Sequence, residues 1–202
     1  MIANATLTIT TIGEPLLRQA ARPISSGEVR SAEFQEFTRV MRETMIANRG
    51  VGLAAPQVGH GIRLVVIEDS AEAMAHLPPE RWEALRRSPI PFQVLINPVV
   101  LPVGDGRVEA FESCLSVFDC ALWAVVERSA SVRVEALDQH GDALAFDAHG
   151  WHARIVQHEV DHLNGTLFLD RMLPRTASNR VHRDERWKLM TAAEARRSLD
   201  AK

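Results

Sequence analysis

The stretch Gly150-Trp151-His152-Ala153-Arg154-Ile155-Val156-Gln157-His158-Glu159-Val160-Asp161-His162-Leu163 reads as one helix, and the rest of the chain is organised around it. Asn164-Gly165 follows as a stop signal. At about 3.6 residues per turn, His158 and His162 stack on one face with Cβ atoms roughly 5–6 Å apart. Two imidazoles at that spacing can converge on one metal ion, and Glu159 beside them can reach a water held there. Trp151, Ile155, His158 and His162 share a face, so the imidazoles continue an inward apolar stripe. Buried polar rings need partners, and a metal supplies one. The bland reading is a surface helix charged by chance, since a bare five-residue pattern arises easily by accident.

Bulk properties bound the alternatives. The 202 residues suffice for one compact domain with a sizeable core. Hydrophobic residues make up 46% and charged residues 24%, which excludes a disordered chain. A formal net charge of -3 gives no electrostatic case for nucleic acid as the main partner. No apolar run is long enough for a membrane span. Met1 to Thr6 lacks the basic region and apolar core of a secretion signal. Two cysteines, Cys114 and Cys120, are too few for a disulfide framework and fit a reducing, cytoplasmic setting.

Along the chain, residues 1–12 look extended, and Ser31 caps a helix running to about Asn48. Gly50-Val51-Gly52-Leu53-Ala54-Ala55-Pro56-Gln57 reads as a tight loop whose small residues let another molecule approach the backbone. Taken alone, Gln57 there is most simply a satisfied glutamine in a packed turn. Ile62 to Glu68 is a buried strand, and residues 70–91 are a surface insertion with a helix-like centre. Phe92 to Val100 is a strand, Gly104-Asp105-Gly106 a hairpin turn, and Arg107 to Phe111 the returning strand. Further strands are expected at Trp123 to Glu127, Ser131 to Leu137 and Ala143 to Ala148, with a last extended segment at Leu167 to Met172. The architecture is therefore α+β: antiparallel sheets packed around a central metal-binding helix in a single domain. That catalytic domain is expected over 1–173. Residues 174–202 form a polar, Arg-rich tail, helical in part or frayed and solvated.

Two histidines need a third ligand, and a three-ligand site leaves a position open for water, the catalytic form. Cys114, Cys120, His149, His152, His182 and downstream acids are the candidates. Cys114 lies in a polar break between strands, as a thiolate ligand would, whereas Cys120 fits a small core residue better. Asp161 suits a supporting role, paired with an arginine such as Arg128.

Three segments now stand in order: Gly50 to Gln57, Glu112-Ser113-Cys114-Leu115-Ser116, and Gln157 to His162. Together with Gly13-x-Pro15-x-Leu17-Arg18, they resemble the peptide deformylases over roughly residues 7–172. The insertion at 70–91 and the run Gly150 to Ile155 are most similar to the organellar branch. The resemblance implies hydrolysis of the N-formyl group from formyl-methionine on nascent proteins, releasing formate. It implies that Cys114, His158 and His162 hold one divalent metal, with Fe²⁺ native and Zn²⁺, Ni²⁺ or Co²⁺ able to substitute. Glu159 would be general base and acid. Gln57 and the Leu115 N–H would form the oxyanion hole. Gly52 would pair with the peptide, with Val51, Trp151 and Ile155 near the methionine pocket. The ribosome is a further expected partner, reached through the tail.

Two departures stand out. Ser113 occupies the family's glycine position, where a backbone needing positive φ makes serine costly. Trp123 falls where the family carries a substrate-side arginine. Both predict weakened or altered activity. The competing readings are a metallohydrolase acting on another N-acyl amine, and a weakly active paralogue with a binding role at the ribosome.

Overall fold

A computed structural model of the chain describes residues 6–75, 79–187 and 190–200. In order, the elements are α1 (Ser26–Val29), α2 (Ala32–Ala47), β1 (Gly52–Ala54), β2 (Leu64–Asp69), α3 (Ala71–Met74), α4 (Pro79–Leu85), β3 (Ile90–Pro102) and β4 (Arg107–Glu112). Then follow β5 (Leu122–Ser129), β6 (Ser131–Leu137), β7 (Ala143–His149), α5 (Gly150–Leu163), β8 (Ser178–Asn179), α6 (Arg180–His182) and α7 (Ala192–Asp200). One sheet has the order β1-β2-β3-β6-β7, the other β4-β5-β8, and every pairing is antiparallel. No described helix is long and apolar enough to cross a membrane.

The larger sheet is covered on both faces, which explains the unbroken apolar run in β2. Side chains of a strand alternate between faces. Val65 and Ile67 pack with Ala153, Val156, Val160 and Leu163 of α5. Leu64 and Val66 pack with Phe34, Met41 and Met45 of α2. The Ser31 cap is present, its hydroxyl accepting from Phe34 N at 3.2 Å. A second cap, Ser25 with Glu28, starts α1 and went unread in the sequence.

Several expectations are corrected. Gly104-Asp105-Gly106 does not close a hairpin, because β3 pairs with β2 and β6 while β4 pairs with β5. The turn carries the chain from one sheet to the other. It does so beside Ala130, where β5 crosses back into β6: Val103 N donates to Ser131 O at 2.9 Å and Ala130 N to Gly106 O at 2.8 Å. Leu167 to Met172 is not extended but contains a 3₁₀ turn at Phe168–Asp170, fixed by Leu167 N donating to Asp170 Oδ2 at 2.8 Å. Residues 50–57 are not simply a loop, since Gly52–Ala54 is an edge strand running into a 3₁₀ turn at Ala55–Val58. Of the expected N-terminal strand, residues 1–5 lie outside the described residues and 6–12 form no regular strand. Thr10 N and Ile12 N instead donate to Gln57 O and Ser116 O, tying two motif segments together.

The polar tail is docked rather than loose. β8 pairs with β5 at Leu122↔Asn179 and Trp123↔Ser178. Trp187, Ala192 and Ala195 are buried against Phe111 and Val125, and the Trp187 and Phe111 rings stack at 5.6 Å. Arg196 pairs with Glu109 across the same interface. Truncating a buried aromatic costs about 3–5 kcal/mol. Trp187→Ala should therefore lower unfolding free energy in urea by about 3 kcal/mol; a change below about 0.5 kcal/mol would mean the tail is loose after all.

Candidate active site

The histidine face of α5 looks away from the large sheet and toward the loop after β4. His158 and His162 have ring centroids 5.2 Å apart. Cys114 Sγ stands 3.3 Å from His162 Nε2. Ligand atoms of Cys114, His158 and His162 all lie within 4.8 Å of one another, the one such set of three among the described residues. Cys114 is held by backbone bonds to its carbonyl from Val117 N at 3.0 Å and Cys120 N at 3.2 Å. Two of the other third-ligand candidates face other partners: His149 meets Ser131 Oγ and His152 meets Gln93 Oε1.

The donor set fits a divalent metal on three observations. One thiol and two imidazoles converge, a mixture suited to iron or zinc. His158 Nδ1 meets Glu112 Oε2 at 2.9 Å, the carboxylate partner that orients a ligating imidazole and leaves its Nε2 for the ion. Glu159 Oε2, beside these donors, is buried without a hydrogen-bond partner among the described residues. Burial favours the neutral form of His158, but Cys114 and Glu112 outweigh it and raise its pKa well above the usual value. Burial and repulsion from His158 drive His162 well below the usual value. Burial also raises Glu159 to about 7.

Glu112 is the functional residue that sequence reasoning missed. Burial would raise its pKa, but His158 and Arg128 more than offset this and the net shift is downward. Arg128 donates to it at 3.0 and 2.9 Å, and Arg154 at 2.6 Å. Arg128 also pairs with Asp161, which receives Arg171 at 2.6 and 2.7 Å. The Asp161–Arg128 pairing expected from the sequence is thus present. The signal for Glu112 was there: Arg154 lies one turn before His158 on a largely buried helix face, and a buried guanidinium requires an anion.

Gln57 is a buried glutamine with partners on both amide atoms, in the 3₁₀ turn at Ala55–Val58. Its Oε1 accepts from Ala54 N at 2.8 Å, while Nε2 faces Cys114 Sγ at 3.5 Å and Ser116 Oγ at 3.4 Å. The Leu115 N–H meets no acceptor among the described residues. Gly52 lies against Glu159: an added Cβ would stand 2.8 Å from Glu159 Cγ and Cδ. Ile155 is buried between α5 and the large sheet, with Val51 and Trp151 packed beside it. A cleft of about 630 Å³ lies elsewhere, over Gln157, Val160, Asp161 and Asn164, and none of Cys114, His158 and His162 lines it.

The two departures look different in three dimensions. Ser113 is not among the residues with positive φ; the left-handed run falls on Phe118, Asp119 and Cys120 at 49°, 52° and 57°. Serine therefore carries no backbone penalty. Trp123 is in the cluster beneath the tail, with the Arg183 guanidinium 4.4 Å above its ring, whereas its neighbours Ala124 and Leu122 pack with Cys114. It faces away from the metal set.

The sequence profile of the polypeptide deformylase family matches residues 6–178. Peptide deformylase 1 of Streptomyces coelicolor is 48% identical over 194 residues, covering 96% of this chain and 85% of that protein. The human mitochondrial peptide deformylase is 39% identical over 170 residues, covering 83% of this chain and 68% of that protein. The Met-Ala-Ser-bound class I type b peptide deformylase from Acinetobacter baumannii superposes with TM-score 0.73 at 33% identity, covering 84% of this chain and 99% of that one.

Removing the carboxylate behind a ligating histidine typically lowers metal affinity 10–100-fold. Glu112→Gln should weaken Zn²⁺ binding by about that factor in a chelator-competition titration. Wild-type affinity in that variant would leave Glu112 a purely structural ion-pair partner.

Proposed function

Since this chain belongs to the polypeptide deformylase family, metal-dependent hydrolases whose known function is deformylation of nascent chains, we propose that Cys114, His158, His162, Glu159, Gln57 and the Leu115 N–H carry that hydrolysis here. The observation that carries the reading is the convergence of one thiol and two imidazoles beside a buried carboxyl without a partner.

A formamide resists neutral water, so the reaction needs a stronger nucleophile and a place for developing negative charge. Cys114, His158 and His162 would hold a divalent ion, which would supply a Lewis acid and lower the pKa of water. Iron(II) is the proposed native ion, and zinc suits the same donors. Glu159 takes the proton of the attacking water on its carboxylate. A pKa near 7 matches a group that must accept and return a proton near neutrality. As charge grows on the formyl oxygen, Gln57 Nε2 and the Leu115 N–H donate to it. Gln57 is aimed by the Ala54 N–H on its own oxygen. Glu159 then protonates the leaving amine, and formate departs. The edge strand at Gly52 pairs with the peptide backbone, and Val51, Ile155 and Trp151 receive the methionine side chain.

The substrates are N-formylmethionyl nascent peptides, and a cytoplasmic setting belongs with this reading. A ribosome contact through residues 175–202 belongs with this reading, supported by exposed Arg180, Arg186 and Arg197.

Metal-loaded wild type should release formate from formyl-Met-Ala-Ser, and acetyl-Met-Ala-Ser should remain intact; faster turnover of the acetyl peptide would favour an enzyme for another N-acyl group. Glu159→Gln should abolish turnover while keeping the metal. Gln57→Leu should lower kcat by about 10²–10³, the usual loss for one oxyanion donor. Because the Ser113 backbone is unstrained, Ser113→Gly should leave kcat/KM within about twofold, less than half of one pKa unit's worth of free energy; a tenfold gain would restore the expectation of an impaired loop.

A further inference from the structure

The segment between β2 and β3 reaches the first turn of α5. Trp151 N points at Arg86 O at 3.4 Å. Gly150 has φ +55°, and a Cβ there would stand 2.7 Å from Arg86 O. The two backbones therefore touch, and the next residue, Arg87, is delivered to the Trp151 ring. Its guanidinium lies 5.1 Å from the ring centroid. Its Nε and Nη2 donate to Asp69 at 2.7 and 2.9 Å, and Asp69 is fully buried at the end of β2. A two-pronged bond to a carboxylate fixes the guanidinium plane. By contrast, the Trp151 indole Nε1 is buried with no hydrogen-bond partner among the described residues. No hydrogen bond sets that ring's rotation, which leaves packing and the face-on arginine.

Trp151, Ile155 and Glu159 follow one another at four-residue intervals on one face of α5. Helical side chains lean toward the N-terminus, so the Trp151 ring lies at the end of this face farthest from Glu159. We propose that Arg87, anchored on Asp69, is a positioning residue that holds Trp151 as the end wall of the substrate's first side-chain pocket and so sets side-chain selectivity. The proposal rests on the reading that Trp151 and Ile155 line that pocket. It gives the inserted segment a role in specificity without placing it on the metal.

The test compares kcat/KM for formyl-Met-Ala-Ser and formyl-Phe-Ala-Ser with the full-length, metal-loaded protein. The variants are Arg87→Lys, the double variant Asp69→Asn/Arg87→Gln, and Trp151→Ala. The double variant replaces the ion pair with two amides, so no buried charge is left alone. Lysine keeps the charge opposite Asp69 but has no plane to lay on the ring. In all three, the Met-over-Phe preference should fall about tenfold, the scale on which apolar pockets discriminate, through KM rather than kcat. A wild-type ratio in Arg87→Lys would reduce Arg87 to an ion-pair partner and overturn the proposal. A wild-type ratio in both Arg87 variants, with Trp151→Ala shifted, would overturn it while sparing the pocket. A wild-type ratio in Trp151→Ala would overturn the pocket reading itself.

Discussion

A single buried carboxylate, Glu112, connects the two halves of this molecule. It ends β4 of the small sheet and accepts bonds from His158 and Arg154, both on α5, and from Arg128 on β5. An isolated carboxylate in such a place would be neutralised by desolvation. Here three cationic or donor groups keep it ionised, and each is itself buried by the same packing. The arrangement is interdependent: removing one member leaves another buried charge uncompensated, typically at about 3–5 kcal/mol. The histidine face of α5 is thus aligned with Cys114, two residues beyond Glu112, by electrostatics as well as by the core.

The fold supplies rigid backing for this alignment. The large sheet presses one face of α5 through Val65, Ile67, Val132 and Val134, while α2 covers the sheet's other side. Helix α5 is therefore pinned between a sheet that buries its apolar side and a second sheet that supplies its chemical partners. Asp161 extends the same charge chain to Arg171, next to the turn at Phe168–Asp170. Phe168 lies beside His158 and in the cluster that holds Cys114, so the segment after α5 closes the site from behind.

Close approach is the second constraint. Gly52 admits the Glu159 carboxyl against the backbone of an edge strand, and Gly150 admits Arg86 against the start of α5. A methyl group at either point would collide with its neighbour, displacing the Glu159 carboxyl in one case and the segment carrying Arg87 in the other. These two glycines therefore fix how closely an edge strand and the inserted segment approach α5.

What the sequence determined by itself was local. The four-residue interval of His158 and His162, the Asn164-Gly165 stop, the Ser31 cap and the apolar run of β2 each depend on a few neighbouring residues. For the third metal ligand, residue reasoning left several candidates, and only the family resemblance singled out Cys114. The tertiary structure decided the rest. It brought Cys114 against a histidine 48 positions away, made Glu112 the partner of three groups on two elements, and turned Trp123 under a docked tail. It also sent the chain after β3 into a different sheet, and it put the left-handed backbone at Phe118–Cys120 instead of Ser113. The reason is physical: periodicity and capping act within a turn or two. The partner of a buried charge, the sheet a strand joins and the dihedral a loop residue adopts are set by contacts among distant segments, which residue order alone does not specify.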